Sequence, residues 1–357
     1  MAGRLFRWQG AVRQSVILQT RGYASKSAIP TFSPSSSSEL NEALDRFRQD
    51  LFIPFGIPKR QRMSMFREKH AQRLRDEPIT INISETEEYT LQPKKYIETP
   101  TKKEAIQVIK MMQATEDYKN FIPFVSALWG SQYVLKGDRW QQIMRKAREA
   151  GKLHLIVECA RQSGSTGLRL RNSDVVRSLF FELHLAAQKA DFKGPEIAKT
   201  LNMAKQAVDI MDADLPDHSY SDSSKNPKSQ PIVVATLLEL SAARAINDFA
   251  GKDQAKEVMG YVQKLLAVAP KGKYQNAPTE KTPRMEVNHW LHEAITVYNG
   301  LQLSLTIHGL AADRALHRDV SSRLDEVKKS LKELLEDPAH QDKDTSYWNL
   351  ARDLLQG

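Results

Sequence analysis

The chain has 357 residues, with 52 lysines and arginines, 43 aspartates and glutamates, and a net charge of +9. No apolar run approaches the ~20 residues that a membrane-spanning helix needs, so the sequence predicts no membrane span. The single cysteine, Cys159, excludes an internal disulfide, a CxxC redox pair and a cysteine-based zinc cluster, and its apolar neighbours predict a small buried residue.

The N-terminal residues are typical of a mitochondrial import signal. Residues 1–38 contain no acidic side chain but carry five cations among apolar and hydroxyl residues: Arg4, Arg7, Arg13, Arg21 and Lys26. The sequence from Arg21 to Ser25 resembles the cleavage pattern of the matrix peptidase. We therefore predict a presequence over residues 1–23, cleavage after Tyr23 and residence in the mitochondrial matrix. Cleavage removes four basic and no acidic residues and leaves a net charge of +5, so a nucleic-acid-binding surface must be local.

The next two segments have compositions that do not favour a large core. Residues 24–38 are rich in serine and bury too little apolar surface to offset the entropy of ordering, so we predict a disordered tether. Residues 39–100 are predicted to be an extended, basic, proline-containing arm with short helices. Its elements are a helix over 39–52 that Pro54 ends, a cation-rich helical segment over 59–75, and a strand over 79–83. We expect this arm to lie along a partner.

The cation-rich part of this arm is the first candidate RNA-binding site. Seven basic residues stand against the one acidic residue Glu68: Lys59, Arg60, Arg62, Arg67, Lys69, Arg73 and Arg75. Clustered guanidinium groups bind phosphate bidentately and release condensed counterions, while Phe66 offers apolar or stacking contact. The alternative interpretation is a solvated charged helix, which is what most runs of charge are.

From residue 101 onward the apolar residues recur at helical spacing. Thr101 with Glu104 three residues later predicts a capping box at the start of the first helix. Helices are predicted over residues 102–113, 115–135, 138–150, 152–163, 172–191, 195–213, 231–249, 252–269, 284–308, 312–336 and 345–356. Many connections are short and contain glycine, which predicts antiparallel hairpins in series, whereas 214–230 and 270–283 are predicted to be exposed insertions.

A second set of cations follows in this helical region: Arg145, Arg148, Lys152, Arg169 and Arg171. The first two are one helical turn apart and Lys152 continues the same side, which allows a positive ridge. Residues 164–171 look superficially like a phosphate-binding loop, but they lack the Gly-Lys-Ser/Thr ending and no strand precedes them. We expect this stretch to be a flexible loop that touches the RNA backbone.

The chain lacks the motifs of the common enzyme classes. His289 and His292 share a helix face, but their spacing does not match the zinc-hydrolase patterns and no third ligand is near in the sequence. No catalytic triad signature, nucleophile elbow, dinucleotide fingerprint or Walker motif is present. We therefore expect no catalytic residue, no metal site, no cofactor and no small-molecule substrate.

Paired apolar stripes on successive helices define the fold class. Val176, Leu179 and Leu183 form one stripe, and Ile197 and Leu201 form a matching stripe on the next helix, against which it can pack. The sequence predicts an all-α fold of stacked antiparallel helical hairpins, α-solenoid-like, with the basic N-terminal arm attached. Residues from about 120 to 340 resemble the degenerate pentatricopeptide- and tetratricopeptide-like solenoids of mitochondrial proteins, and the alternative is an irregular all-helical domain without a superhelix.

The chain combines a mitochondrial import signal, a basic arm and a helical scaffold, and it has no catalytic motif. In this combination it resembles the auxiliary proteins of fungal mitochondrial ribosomes. The resemblance implies a non-catalytic ribosomal component that contacts ribosomal RNA and neighbouring mitochondrial ribosomal proteins, with a preference for the large subunit. Two alternatives stay open: a solenoid factor that binds a mitochondrial transcript for its stability or translation, and an assembly factor for a respiratory complex.

Overall fold

The computed structural model describes residues 29–84, 87–214, 226–337 and 346–356. The predicted presequence, its cleavage site and residues 24–28 lie outside the described residues. In the ranges described, no helix combines the length and the apolar character needed to cross a bilayer.

The N-terminal part consists of four short helices followed by one β-hairpin. The helices are α1 (Ser38–Phe47), α2 (Ile53–Gly56), α3 (Lys59–Phe66) and α4 (Ala71–Asp76). Strands β1 (Thr80–Asn82) and β2 (Glu88–Thr90) pair antiparallel, with Ile81 opposite Tyr89. The sequence indicated β1 but not β2, which has only three residues and little apolar content.

After β2, the longer elements of the described residues are all helices. They are α5 (Lys102–Met111), α6 (Phe121–Gly130), α7 (Gly137–Glu149), α8 (Leu153–Arg161), α9 (Ser163–Thr166), α10 (Ser173–Lys189), α11 (Pro195–Asp214), α12 (Pro231–Phe249), α13 (Glu257–Val268), α14 (Arg284–Ser304), α15 (His308–Ala312), α16 (Arg314–Glu336) and α17 (Ser346–Gln356). The capping box predicted at Thr101 and Glu104 is present.

Helix α12 lies at the centre of the core. It packs against α10, α11, α13 and α14, and α14 packs in turn against α16 and α17. Most side chains of α12 are buried, including the polar Thr236 and Glu239. Short connections join these helices, such as the one at Gly194, whose φ of +77° a residue without Cβ adopts freely. The predicted all-α fold of stacked helical hairpins is confirmed.

The helix that begins at Ser38 does not end at Pro54, contrary to the prediction. A π-helical turn, Arg48–Phe52, follows α1 directly, and Pro54 then lies in the first turn of α2. Proline is tolerated there because first-turn amides have no intrahelical acceptor. The helical path therefore continues to Gly56.

Residues 29–38 are ordered against the helical body, which corrects the predicted tether over this stretch. Ser33 and Asn120 exchange two hydrogen bonds of 2.8 Å, and the backbone amide and hydroxyl of Ser36 donate to Asp117 at 2.7 and 2.9 Å. Burial would raise the pKa of Asp117, but hydrogen bonds from Ser36, Gln113 and Ala114 lower it. Phe32 adds apolar contact with Phe124. Side chains distant in sequence thus supply hydrogen-bond partners to the polar groups of a segment that cannot form its own core.

Residues 39–100, which were predicted to be an extended arm, pack partly into the main core and partly around a small core of their own. Leu40, Leu44 and Phe47 of α1 belong to the main core. A second, small core is formed within the arm by Ile53, Ile57, Met65, Leu74 and Leu91. The five prolines of this segment lie at element starts and in connections, so they do not prevent this packing.

The segment over residues 270–283 is anchored, although it was predicted to be an exposed insertion. Tyr274 is buried, and its hydroxyl lies 3.0 Å from a carboxylate oxygen of Glu293. Its backbone amide donates to Glu326 at 2.8 Å. One aromatic side chain therefore fixes an otherwise polar loop to α14 and α16. Of the other predicted insertion, residues 215–225 lie outside the described part of the chain.

Candidate nucleic-acid interface

The basic segment, residues 59–75, is a bent surface made of two short helices. Arg67 has extended backbone angles and separates α3 from a 3₁₀ turn and α4, so the segment is not one continuous helix. Met65 and Leu74 face the small core, which directs the charged side chains outward. Six of the seven candidate cations are exposed: Lys59, Arg60, Arg67, Lys69, Arg73 and Arg75.

The neighbouring elements hold the basic segment in place. The Lys94 amide donates to the Met65 carbonyl at 2.9 Å, and its ammonium lies 2.5 Å from Asp50. Arg48 forms a bidentate pair with Glu87, with N–O distances of 2.7 and 2.5 Å, and its hydrogen bonds lower the pKa of that carboxyl. These contacts join the β-hairpin and the α1–α2 helical path behind the cations.

The charges of the basic segment are largely unneutralised by the protein itself. Arg73 lies 3.6 Å from Glu77, but both side chains are 74% exposed, so this pair contributes little. Arg62 is half-buried, and its guanidinium lies 4.7 Å from the centre of the Phe55 ring. No carboxylate of the described residues lies within ion-pair distance of Lys59, Arg60, Arg67, Lys69 or Arg75.

The second set of predicted cations is partly engaged inside the protein. Arg148 lies 2.5 Å from the buried carboxylate of Glu182, and Arg145 donates to the Tyr347 hydroxyl at 2.9 Å. Lys152 lies beyond the end of α7, with its ammonium 5.9 Å from the centre of the Tyr118 ring. The three cations therefore do not form one continuous positive ridge, because Arg148 is paired inside the protein. Arg145 and Arg148 line an open cleft of ≈ 490 Å³ between α7, α10 and α17.

Residues 164–171 are held against α6, which corrects the expectation of a flexible loop. The Trp129 indole N–H donates to the Gly164 carbonyl at 3.0 Å. Leu168 and Leu170 are buried, so only Arg169 and Arg171 of this stretch present charge to solvent. The described residues of this stretch form no phosphate-binding loop. Arg169 and Arg171 stay candidate RNA contacts only because they are exposed.

Gly167 offers a direct stability test of this contact. A Cβ at Gly167 would lie 2.2 Å from Cε3 of Trp129, and its φ of +74° is unfavourable for any other residue. We expect Gly167→Ala to lower the free energy of unfolding by roughly 2–4 kcal/mol in a urea titration. Gly194→Ala is the matched control, since its φ is +77° but no atom lies within 4 Å. Equal losses in the two variants would mean that Trp129 does not confine Gly167.

Of the two histidines of α14, His292 is buried and His289 is half-buried. The His292 ring stacks on Phe181 with centroids 3.8 Å apart, and burial lowers its pKa to about 3. His289 lies 3.9 Å from Asp174. Within the described ranges, no group of three or more His, Cys, Asp or Glu side chains is placed to hold a metal ion. Cys159 is fully buried, as predicted, and burial raises its pKa to about 12.

Sequence reasoning missed an exposed aromatic residue beside the basic segment. Tyr96 lies in a 3₁₀ turn, is 59% exposed, and stacks on Phe66 at 4.3 Å between ring centroids. The available signal was a tyrosine flanked by Lys95 in a polar, proline-bounded stretch. The pairing with Phe66 was not visible because the two residues are thirty positions apart.

Comparison with known proteins relates this chain to a family of mitochondrial ribosomal proteins. The small ribosomal subunit protein mS27 of Neurospora crassa is 26% identical over 264 residues, which cover 69% of this chain and 66% of that protein. The chain thus spans slightly less than two thirds of the length of this curated relative. The sequence profile of a family described as mitochondrial ribosomal protein mS27 matches residues 18–353. Because this match takes in nearly the whole sequence, the chain belongs to the mitochondrial ribosomal protein mS27 family.

Proposed function

We propose that this chain is a non-catalytic structural protein of the small mitochondrial ribosomal subunit, and that it contacts ribosomal RNA through the basic segment. The observation that carries the proposal is the row of exposed, largely unpaired cations from Lys59 to Arg75, fixed on a small core. Cations that the protein leaves unneutralised retain their full attraction for phosphate. Family membership supplies the ribosomal setting.

The preference for the large subunit was wrong. The Neurospora crassa relative is a small-subunit protein, and we assign this chain to the same subunit. Its place of action is the mitochondrial matrix, as the import signal predicted and as membership of a mitochondrial ribosomal protein family supports. We retain residues 1–23 as a presequence that is removed on import.

We further propose that the helical body over residues 101–357 makes the contacts with neighbouring ribosomal proteins. Its inner faces are buried in the main core, which it shares with α1, so its outer faces are the ones available for docking. Arg145, Lys152, Arg169 and Arg171 stay candidate RNA contacts at its surface, whereas Arg148 is proposed to be structural because Glu182 holds it. No specific observation favours the transcript-binding or assembly-factor alternatives.

Sedimentation of the tagged full chain from a mitochondrial lysate tests the assignment. After dissociation of ribosomes at low Mg²⁺, we expect the chain to migrate with the small subunit and to stay there at about 0.1 M salt. A known large-subunit protein in the same gradient is the control. Migration as a light, RNA-free protein, or with the large subunit, would contradict the proposal.

A further inference from the structure

Exposed apolar side chains are concentrated in the stretch that follows the basic segment in the sequence. Among the described residues, five large hydrophobic side chains are exposed, and three of them lie between residues 79 and 97: Ile79, Tyr96 and Ile97. Ile97 is 91% exposed and Tyr96 59%. Clustered exposed apolar groups next to a functional charge cluster mark a contact surface more often than scattered ones do.

The Tyr96 ring is held in a defined position. It lies 16° from parallel to the Phe66 ring, with centroids 4.3 Å apart, and Phe66 itself packs against the small core. The backbone just before Tyr96 is fixed because the Lys94 amide donates to Met65 and its ammonium bonds to Asp50. One face of Tyr96 is covered by Phe66, so much of its exposed area belongs to the opposite face.

Two cations adjacent to these rings in the sequence indicate the ligand, although the exposed Glu98 lies in the same turn as Tyr96. Arg67 follows Phe66, Lys95 precedes Tyr96, and both cations are exposed. An exposed aromatic face with a cation next to each ring in the sequence matches a nucleobase and its neighbouring phosphates, since stacking on aromatic side chains and phosphate neutralisation are the two contacts that single strands offer. In an RNA duplex the base faces are covered by neighbouring bases, so the ligand must be unpaired.

We propose that the outer face of Tyr96, supported by Phe66 and flanked by Arg67 and Lys95, stacks on an unpaired base of single-stranded RNA. This proposal rests on the RNA contact proposed above and specifies its chemistry: the basic segment grips the backbone while Tyr96 receives one base. Because stacking is tolerant of base identity, the site has little sequence preference.

Fluorescence of 2-aminopurine tests the stacking directly. The chain from Ala24 onward is titrated with a single-stranded RNA of about twelve nucleotides that carries one 2-aminopurine, since stacking quenches this base. We expect quenching with the unsubstituted chain and with Tyr96→Phe, which keeps the ring. Tyr96→Ser should abolish the quenching and weaken binding about tenfold, with the salt dependence unchanged. Met285→Ser, at a 64% exposed methionine on α14, is the matched control.

The outcomes separate this proposal from the assignment to the small subunit. If Tyr96→Ser binds and quenches like the unsubstituted chain while still migrating with the small subunit, the stacking proposal is overturned and the assignment stands. If Tyr96→Ser weakens subunit association but leaves RNA binding and quenching intact, Tyr96 contacts a protein and the proposal is again overturned. If the unsubstituted chain does not migrate with the small subunit at all, the assignment itself fails.

Discussion

Replacement of Arg60, Arg62, Arg67 and Arg73 by glutamine is expected to remove most of the salt-sensitive binding of this chain to ribosomal RNA. Each arginine that neutralises a phosphate adds about 0.7–0.9 to the slope of log affinity against log salt concentration. If all four make such contacts, binding should weaken on the order of 100- to 1,000-fold near 0.1 M salt, and the slope should flatten by about three. Filter binding with small-subunit RNA at several salt concentrations measures both quantities.

A matched control removes the same charge from another surface. Arg314, Arg318, Lys329 and Lys332 are exposed on α16, so their replacement by glutamine lowers the net charge equally. Because Arg62 stacks on Phe55, a second variant keeps Arg62 and changes only the other three arginines of the basic segment. Parallel losses of slope in the α16 variant and the basic-segment variant would show that RNA binding follows net charge rather than residues 59–75.

Most of the helical body could be predicted because its signals are local. The capping box at Thr101 and Glu104 and the proline at the start of α12 each lie at the helix boundary that they set. The apolar stripe of α10 lies within the helix whose buried face it determines. The observed α12 spans the predicted residues 231–249. Such signals determine where helices begin and which face is buried, but not which distant groups they meet.

Features that depend on distant partners could not be predicted in this way. The serine-rich residues 33–36 are ordered by Asp117 and Asn120, more than 80 positions away. The cations of the basic segment were visible as composition, whereas their exposure depends on Met65 and Leu74 facing a core that Leu91 completes. The stack of Phe66 and Tyr96 depends on the same long-range packing.

The Arg148 side chain shows why charge alone does not identify an RNA contact. Arg148 and Arg145 are one turn apart on α7, as predicted, but the Arg148 guanidinium bonds to Glu182 on α10. The Glu182 side chain is 7% exposed, and burial raises its pKa, although the pairing with Arg148 opposes this shift. Arg148 therefore stabilises a buried carboxylate.

Arg148→Ala is consequently expected to destabilise the fold by about 3 kcal/mol at pH 7, because removal of one partner leaves a buried charge unpaired. In the variant the folded-state pKa of Glu182 should rise further above its unfolded value. The loss should therefore be greatest at neutral pH and shrink as the pH falls through the raised folded-state pKa of Glu182, because protonation removes the buried charge. Urea unfolding of the variant and the unsubstituted chain at several pH values measures this difference.

The double variant Arg148→Ala with Glu182→Gln separates a structural role from RNA binding. Without the carboxylate no unpaired buried charge remains at position 182, so the double variant should recover much of the lost stability at pH 7 and lose the pH dependence of the single variant. RNA affinity and its salt dependence should stay unchanged in both variants, because Arg148 already has its partner in Glu182. A variant that unfolds normally but binds RNA more weakly would instead make Arg148 a phosphate contact and require the Glu182 pair to open on the ribosome.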